Sequence, residues 1–173
     1  MRPRRSPRRR SDRPPVVSPS PTPLDAKLPP PVVMLLCGAA VWAAARAWPA
    51  PAIPLPGRGP LGIGVFALGL AIELVAAARF FLARTTVNPL SPQKATTLVT
   101  GGLNRVSRNP MYVGQALLLA GWALWLAHAL APLGAVAYVL WITRFQILPE
   151  ERALAARFGA DYAAYRARVP RWL

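Results

Sequence analysis

The sequence predicts an all-α, polytopic helical membrane protein with four transmembrane helices, the last two forming a hairpin, closed by amphipathic helices at the C-terminus. Three observations lead there. Hydrophobic residues make up 54% of the 173-residue chain and charged residues only 16%, too apolar a balance for an ordinary small soluble domain. A 33-residue stretch from Met111 to Thr143 carries no formal charge. The net charge of +15 is unevenly placed, with seven arginines among the first 13 residues.

Residues 1–31 are rich in Arg, Pro and Ser and almost devoid of apolar side chains in sequence. Such a segment cannot bury enough surface to offset the entropy of ordering, so a disordered cytoplasmic tail is expected. Clustered arginine attracts anionic headgroups or nucleic acid, but a like-charge block is more simply a solvated tail that fixes topology. No specific nucleic-acid partner is implied. The long basic region and the lack of a small-residue cleavage pattern near the start argue against a signal peptide.

Residues 32–173 form the membrane domain. A first span is expected at about 32–48, ended by a stretch in which five of residues 49–60 are proline. A second covers about 61–83, whose 23 residues suffice for a hydrocarbon core of about 30 Å. The uncharged run would reach about 50 Å as a single helix, so it must fold back near His128–Pro132. This gives spans at about 111–128 and 131–148, with a cap at 149–173. The basic residues favour one side: the tail, the 84–108 loop with Lys94 and Arg105, and the C-terminal segment carry them, while 49–60 holds only Arg58. Both termini are therefore expected in the cytoplasm. Arg46, Arg79 and Arg144 lie near span ends, where a long side chain can snorkel to water.

In the cap, Pro149 suits a first helical position, and Glu150 and Glu151 fall in the first turn, complementing the helix dipole. Gly159 is a natural helix stop. Asp161 can cap a second short helix carrying Tyr162, Tyr165 and Val169. His128, the one histidine, is expected in the hairpin turn, away from the cytoplasmic face, and Trp122, Trp125 and Trp141 read as packing or interface residues. The lone Cys37 lies in an apolar segment, and neither a disulfide framework nor a metal-ligand spacing is present in the sequence, so no metal site is expected.

Polar clusters at both ends of the hairpin make the candidate site. The loop containing Thr85-Thr86-Val87-Asn88-Pro89 and Gly101-Gly102 resists a regular helix and reads as a lid, a pocket wall or a connector. Arg108 precedes an X-Pro step and Tyr112 follows one turn later, aiming a guanidinium and a phenol at one surface. Glu73 lies mid-span, where a carboxylate is costly unless neutral or paired; pairing with a neighbouring helix is the favoured reading, contact with substrate the other.

Arg108-Asn109-Pro110-Met111-Tyr112-Val113-Gly114, Glu150-Glu151, Phe158-Gly159 with Tyr162 and Tyr165, and Val169-Pro170-Arg171-Trp172 occur in that order around the hydrophobic hairpin. Over roughly residues 84–173 the chain resembles the isoprenylcysteine carboxyl methyltransferase and phospholipid methyltransferase superfamily. The resemblance implies an integral membrane enzyme that binds S-adenosylmethionine at the cytoplasmic face. On this basis Arg108, Asn109, Pro110, Tyr112, Gly114, Glu150, Glu151 and Tyr162 are expected at the cofactor, with Arg108, Tyr112 and Glu151 catalytic. Glu73, Asn88, Arg144 and Trp172 are candidates for contact with the acceptor, a lipophilic or small carboxylate, thiol or amine. Two rivals remain at this level: a nicotinamide-dependent membrane reductase of related fold, and a non-catalytic membrane interaction protein. The oligomeric state is not readable.

Overall fold

The computed structural model describes Asp25 and residues 27–49, 53–82 and 97–173, with Phe80 and Phe81 as backbone only. The tail and the greater part of the 84–108 loop, including Asn88, lie outside the described residues. All regular structure among the described residues is helical: α1 (Pro30–Ala47), α2 (Arg58–Leu82), α3 (Pro110–Leu126), α4 (Pro132–Ile142) and α5 (Leu148–Arg168), with a 3-10 turn at Gly102–Arg105.

Local chemistry sets the helix ends. Proline stands at the start of α1, α3 and α4, where its missing N–H breaks no helical bond. Gly57 at φ 72° turns the chain into α2, which begins three residues before the expected 61. Ala127 in the left-handed region at φ 46° ends α3. Gly159, at φ 47° and ψ −117°, kinks α5 into two halves, at the stop expected from the sequence.

One boundary differs from expectation. The second arm of the expected hairpin does not end before Pro149; α4 runs through a π turn at Thr143–Ile147 straight into α5. Proline in a regular helix lacks its N–H donor and clashes with the carbonyl four residues back. A widened turn, closed by Leu148 N–H to Thr143 O, absorbs that break immediately before Pro149 and lets the rod continue.

Two helices, α1 and the 58–79 portion of α2, are long and apolar enough to cross a membrane. In each, only 17% of the apolar window is buried within the protein, so the hydrophobic side chains point outward, Leu35 at 65% exposure among them. The core helix of a soluble protein would hide these groups. The chain is membrane-associated.

Glycines draw α2 and α3 into backbone contact. Gly62 and Gly69 on one helix face Gly121 and Gly114 on the other, each pair spaced by seven residues, and the reversed order makes the helices antiparallel. A Cβ on Gly69 would meet Gly114 O at 2.7 Å, and one on Gly121 would meet Phe66 N at 2.6 Å. Small residues serve this purpose where apolar solvent removes the hydrophobic drive between helices. On the other side of α3, Trp122 Nε1 donates to Gly38 O of α1 (3.2 Å), and Gly134 of α4 packs on Val41.

The two ends of the bundle differ. At one end, His128 is buried in the α3–α4 turn with Nε2 donating to Trp48 O (2.9 Å) and Nδ1 accepting from Leu130 N–H, while Ile53 N–H donates to Ala127 O (2.8 Å). The polar cluster gathers at the other.

The glycine contacts give a direct expectation for stability. Gly69→Ala and Gly121→Ala should each destabilise the detergent-solubilised protein by about 1–3 kcal/mol, the usual cost of overpacking. Gly64 should accept alanine with no loss, because a methyl group there would meet nothing within 4 Å. Thermal unfolding of the three variants side by side is the check, and equal midpoints would remove the close-packing argument.

Candidate active site

Backbone pairing puts the site together. The segment entering α3 lies against the C-terminal residues that follow α5: Arg108 N–H donates to Pro170 O (3.0 Å), and Asn109 Nδ2 donates to Arg171 O (2.9 Å). Ser107 Oγ accepts from Asn109 N–H (3.1 Å) and donates to Arg171 O (3.3 Å). Tyr165 OH donates to Asn104 O (2.7 Å), which fastens the second half of α5 to the same segment.

On this frame stands a shared carboxylate. Glu151 receives Arg108 Nη1 on Oε1 at 2.8 Å and a two-pronged contact from Arg171, Nε to Oε1 and Nη2 to Oε2, both 2.9 Å. Arg108 Nη1 also donates to Tyr162 OH at 3.0 Å. Arg108 and Glu151 side chains are nearly closed to solvent, at 8% and 9% exposure, so the attraction is weakly screened. Burial pushes the Glu151 carboxyl upward, but the Arg171 hydrogen bonds and the charges of Arg108, Arg171 and Arg166 outweigh it and hold the group below its ordinary range. Burial and the nearby Glu151 charge raise Tyr162 against the opposing pull of Arg108 and Arg166, keeping it a phenol.

The adjacent glutamate has the opposite surroundings. Glu150 Oε1 accepts Tyr112 OH and Gln146 Nε2, each at 2.7 Å. Desolvation dominates and, with the Glu151 charge, pushes its carboxyl to about 7 despite the two hydrogen bonds that favour ionisation. One glutamate is thus fixed as an anion. The other sits where a proton can be taken or given near neutrality.

The expected site residues divide into groups. Arg108 meets Glu151 and Tyr162, and Tyr112 meets the adjacent Glu150. Asn109 lies beside them, its amide spent on the Arg171 carbonyl, and Pro110 is the buried first residue of α3. Gly114 is placed elsewhere, against Gly69 and Glu73 at the α2–α3 contact, because that face of α3 turns away from α5. Glu73 takes the pairing reading: Gln115 Nε2 donates to its Oε1 (2.6 Å), and Tyr138 OH donates to Gln115 Oε1 (2.5 Å). Trp172 Nε1 donates to Thr143 Oγ1 (3.2 Å), and Arg144 faces Asp25.

Sequence reasoning missed Arg171, Gln146 and Gln115 as functional or supporting groups. Signals existed for two of them. Gln146 precedes Glu150 by one turn, and Gln115 follows Tyr112 by three residues on a helix that had to supply a partner for Glu73. Arg171 stands 20 residues from Glu151, and although it lies in the Val169-Pro170-Arg171-Trp172 motif, no local pattern assigns it a partner.

Fold and cluster together define a helical membrane-associated protein with a buried, charge-paired polar site at one end of its bundle. The family described as phospholipid methyltransferase matches residues 58–161, from α2 through the first half of α5, and the chain belongs to that family of methyltransferases. It is also similar to an uncharacterised protein of Haemophilus influenzae, with 44% identity over 63 residues that cover 36% of this chain and all of that protein. No solved structure matches the chain.

The two carboxyls give opposite linkage to pH. For Glu151, whose folded value lies below its ordinary 4.5, stability is present above that value and is lost as pH falls through the depressed one. For Glu150 the folded form holds its proton more tightly, so stability declines as pH rises from 4.5 towards about 7. Unfolding midpoints measured across pH 4–8 should therefore fall over that upper window in the parent, and Glu150→Gln should flatten the decline. An unchanged profile in that variant would dissociate Glu150 from it.

Proposed function

We propose that the protein is an integral membrane, S-adenosylmethionine-dependent methyltransferase of the isoprenylcysteine carboxyl methyltransferase type, working at the cytoplasmic face on a lipophilic or small carboxylate, thiol or amine. The observation that carries this reading is the meeting of Arg108 with Glu151 at 2.8 Å, which brings the entry of α3 and the start of α5 to one place.

The residues fit the cofactor's charges. Arg108 and Arg171 share one carboxylate, so the cluster keeps one positive charge in excess, and Arg108 Nε is buried with no hydrogen-bond partner. That orphan donor and the surplus charge suit the carboxylate of an amino acid moiety. Glu150 and Glu151 suit its ammonium and the ribose hydroxyls, and Tyr162 offers an aromatic face beside them. S-adenosylmethionine, when bound, supplies a methyl group on an electrophilic sulfonium, so no enzyme nucleophile is needed.

The chain's own residues then align the acceptor, exclude water and handle a proton. Glu150, with its raised affinity for a proton, is the group suited to receive one from an amine or thiol acceptor. Tyr112 and Gln146 fix the carboxyl oxygen that Glu150 presents. An ionised carboxylate acceptor needs no such step. A lipophilic acceptor is favoured by an apolar cleft of about 430 Å³ between α1, α2 and α3, bordered by Met34, Trp42, Phe66, Leu118 and Trp122.

The topology in this reading has four spans and both termini in the cytoplasm. Support for α4 as a span comes from Leu133, Val136 and Leu140, which point outward from a helix with no charged residue. Arg58 is the only cation in residues 49–60, beside the turn at the end opposite the cluster, in keeping with the rule that basic residues stay inside.

Titration calorimetry with S-adenosylhomocysteine on the full chain in detergent tests the assignment. Arg108→Gln should weaken binding about tenfold or more, as loss of a buried charge-assisted contact does. Glu150→Gln should slow labelled methyl transfer to an amine or thiol on the order of a hundredfold, the usual yield of a general base, a larger loss than it causes in cofactor binding. Binding of a reduced nicotinamide dinucleotide in place of S-adenosylhomocysteine would replace this reading with a reductase.

A further inference from the structure

A second pair of cations converges at the same end of the bundle. Arg144 and Arg152 are eight residues apart (152 − 144), a spacing that a regular helix of 3.6 residues per turn leaves roughly 80° out of line. The π turn at Thr143–Ile147 takes an additional residue into one turn and cancels most of that offset. Both guanidiniums reach the same carboxylate. Arg152 Nη2 lies 2.5 Å from Asp25 Oδ2, and Arg144 Nη1 lies 3.7 Å from Asp25 Oδ1.

Asp25 answers this pair incompletely. One carboxylate faces two guanidiniums, leaving a positive charge in excess, and Arg144 Nη1 is shut off from solvent without a hydrogen bond. A lipid phosphodiester carries the same single charge as a carboxylate but sets two non-bridging and two ester oxygens tetrahedrally, so it can engage two planar forks at once. The setting selects its source. Arg144 lies over the Phe145 ring at 5.3 Å, Phe145 contacts Trp141 at 4.6 Å, and Leu140, one turn earlier, is 65% exposed on an apolar helix. Aromatic rings and arginine at the edge of an outward apolar surface mark the depth at which phospholipid headgroups lie.

We propose that Arg144 and Arg152 form a binding site for the phosphate of an anionic glycerophospholipid, and that Asp25 occupies it as an internal competitor. The seven arginines that precede Asp25 in the sequence are drawn to the same anionic surface, so a membrane rich in such lipids favours exchange of the aspartate for the headgroup. A zwitterionic headgroup brings its own cation beside the guanidiniums and is disfavoured. The site rests on the reading of α4 as membrane-embedded but not on methyl transfer, and binding is its readout.

The test is equilibrium titration of the full chain in a neutral detergent with dioctanoyl phosphatidylglycerol, dioctanoyl phosphatidylcholine and inorganic phosphate. Phosphatidylglycerol should bind best. Arg144→Gln and Arg152→Gln should each weaken it about tenfold. Asp25→Asn should tighten it by up to about fivefold, a gain that misfolding cannot produce. Unchanged affinity in either arginine variant, or no gain in Asp25→Asn, would overturn the site. Equal binding of inorganic phosphate, or of phosphatidylcholine, would overturn its assignment to an anionic lipid.

Discussion

Everything at the polar end of this protein depends on one buried carboxylate held by two guanidiniums. Glu151 is closed to solvent, and an ionised group there is costly unless paired and hydrogen-bonded. Arg108 comes from the entry to α3 and Arg171 from the chain's last residues. Their shared anion therefore ties together segments that are remote in sequence. The bonds from the Arg108 backbone N–H and the Asn109 side-chain amide to the carbonyls of Pro170 and Arg171 set the separation at which both cations can reach it. Removing Glu151 would leave two facing guanidiniums uncompensated, whereas removing one arginine leaves a one-to-one pair, so the pairing specifies geometry more than it adds stability.

Two consecutive glutamates with different protonation behaviour follow from helix rotation alone. Successive residues point about 100° apart. Glu151 is turned towards the guanidiniums and is held ionised, while Glu150 is turned against Tyr112 and Gln146, away from those cations, and holds its proton to about 7. Environment, not residue type, divides a charge-holding task from a proton-handling one.

The parts of the fold legible in the sequence are those with a dense local signal. Long apolar runs bounded by proline mark α1 and α2, and Gly159 marks the kink in α5, because breakers and periodicity act within a few residues. The meeting of Arg108 with Glu150 and Glu151 was legible only through resemblance to a family, since no local rule joins residues on either side of a hairpin. Arg171 stood in a motif that carried the resemblance, but its pairing with Glu151 crosses 20 residues and no local rule supplies it. The matched glycines of α2 and α3 were readable as equal seven-residue steps, yet that spacing has meaning only once the two helices are known to touch. Gly114 was misplaced accordingly: it belongs to this contact and not to the polar cluster.

The π turn was invisible in composition, and it governs more than its own five residues. A residue added to one turn rotates all that follows by about 100° relative to α4. In its presence Gln146 and Glu150 face Tyr112, Glu151 faces Arg108, and Arg152 falls in line with Arg144. A regular helix through the same sequence would carry Glu151 away from Arg108 and leave Pro149 in collision with the carbonyl of Phe145. The same proline that makes the regular helix unfavourable thus sets the register of both arginine clusters, which is why the distortion between α4 and α5 coincides with the polar cluster.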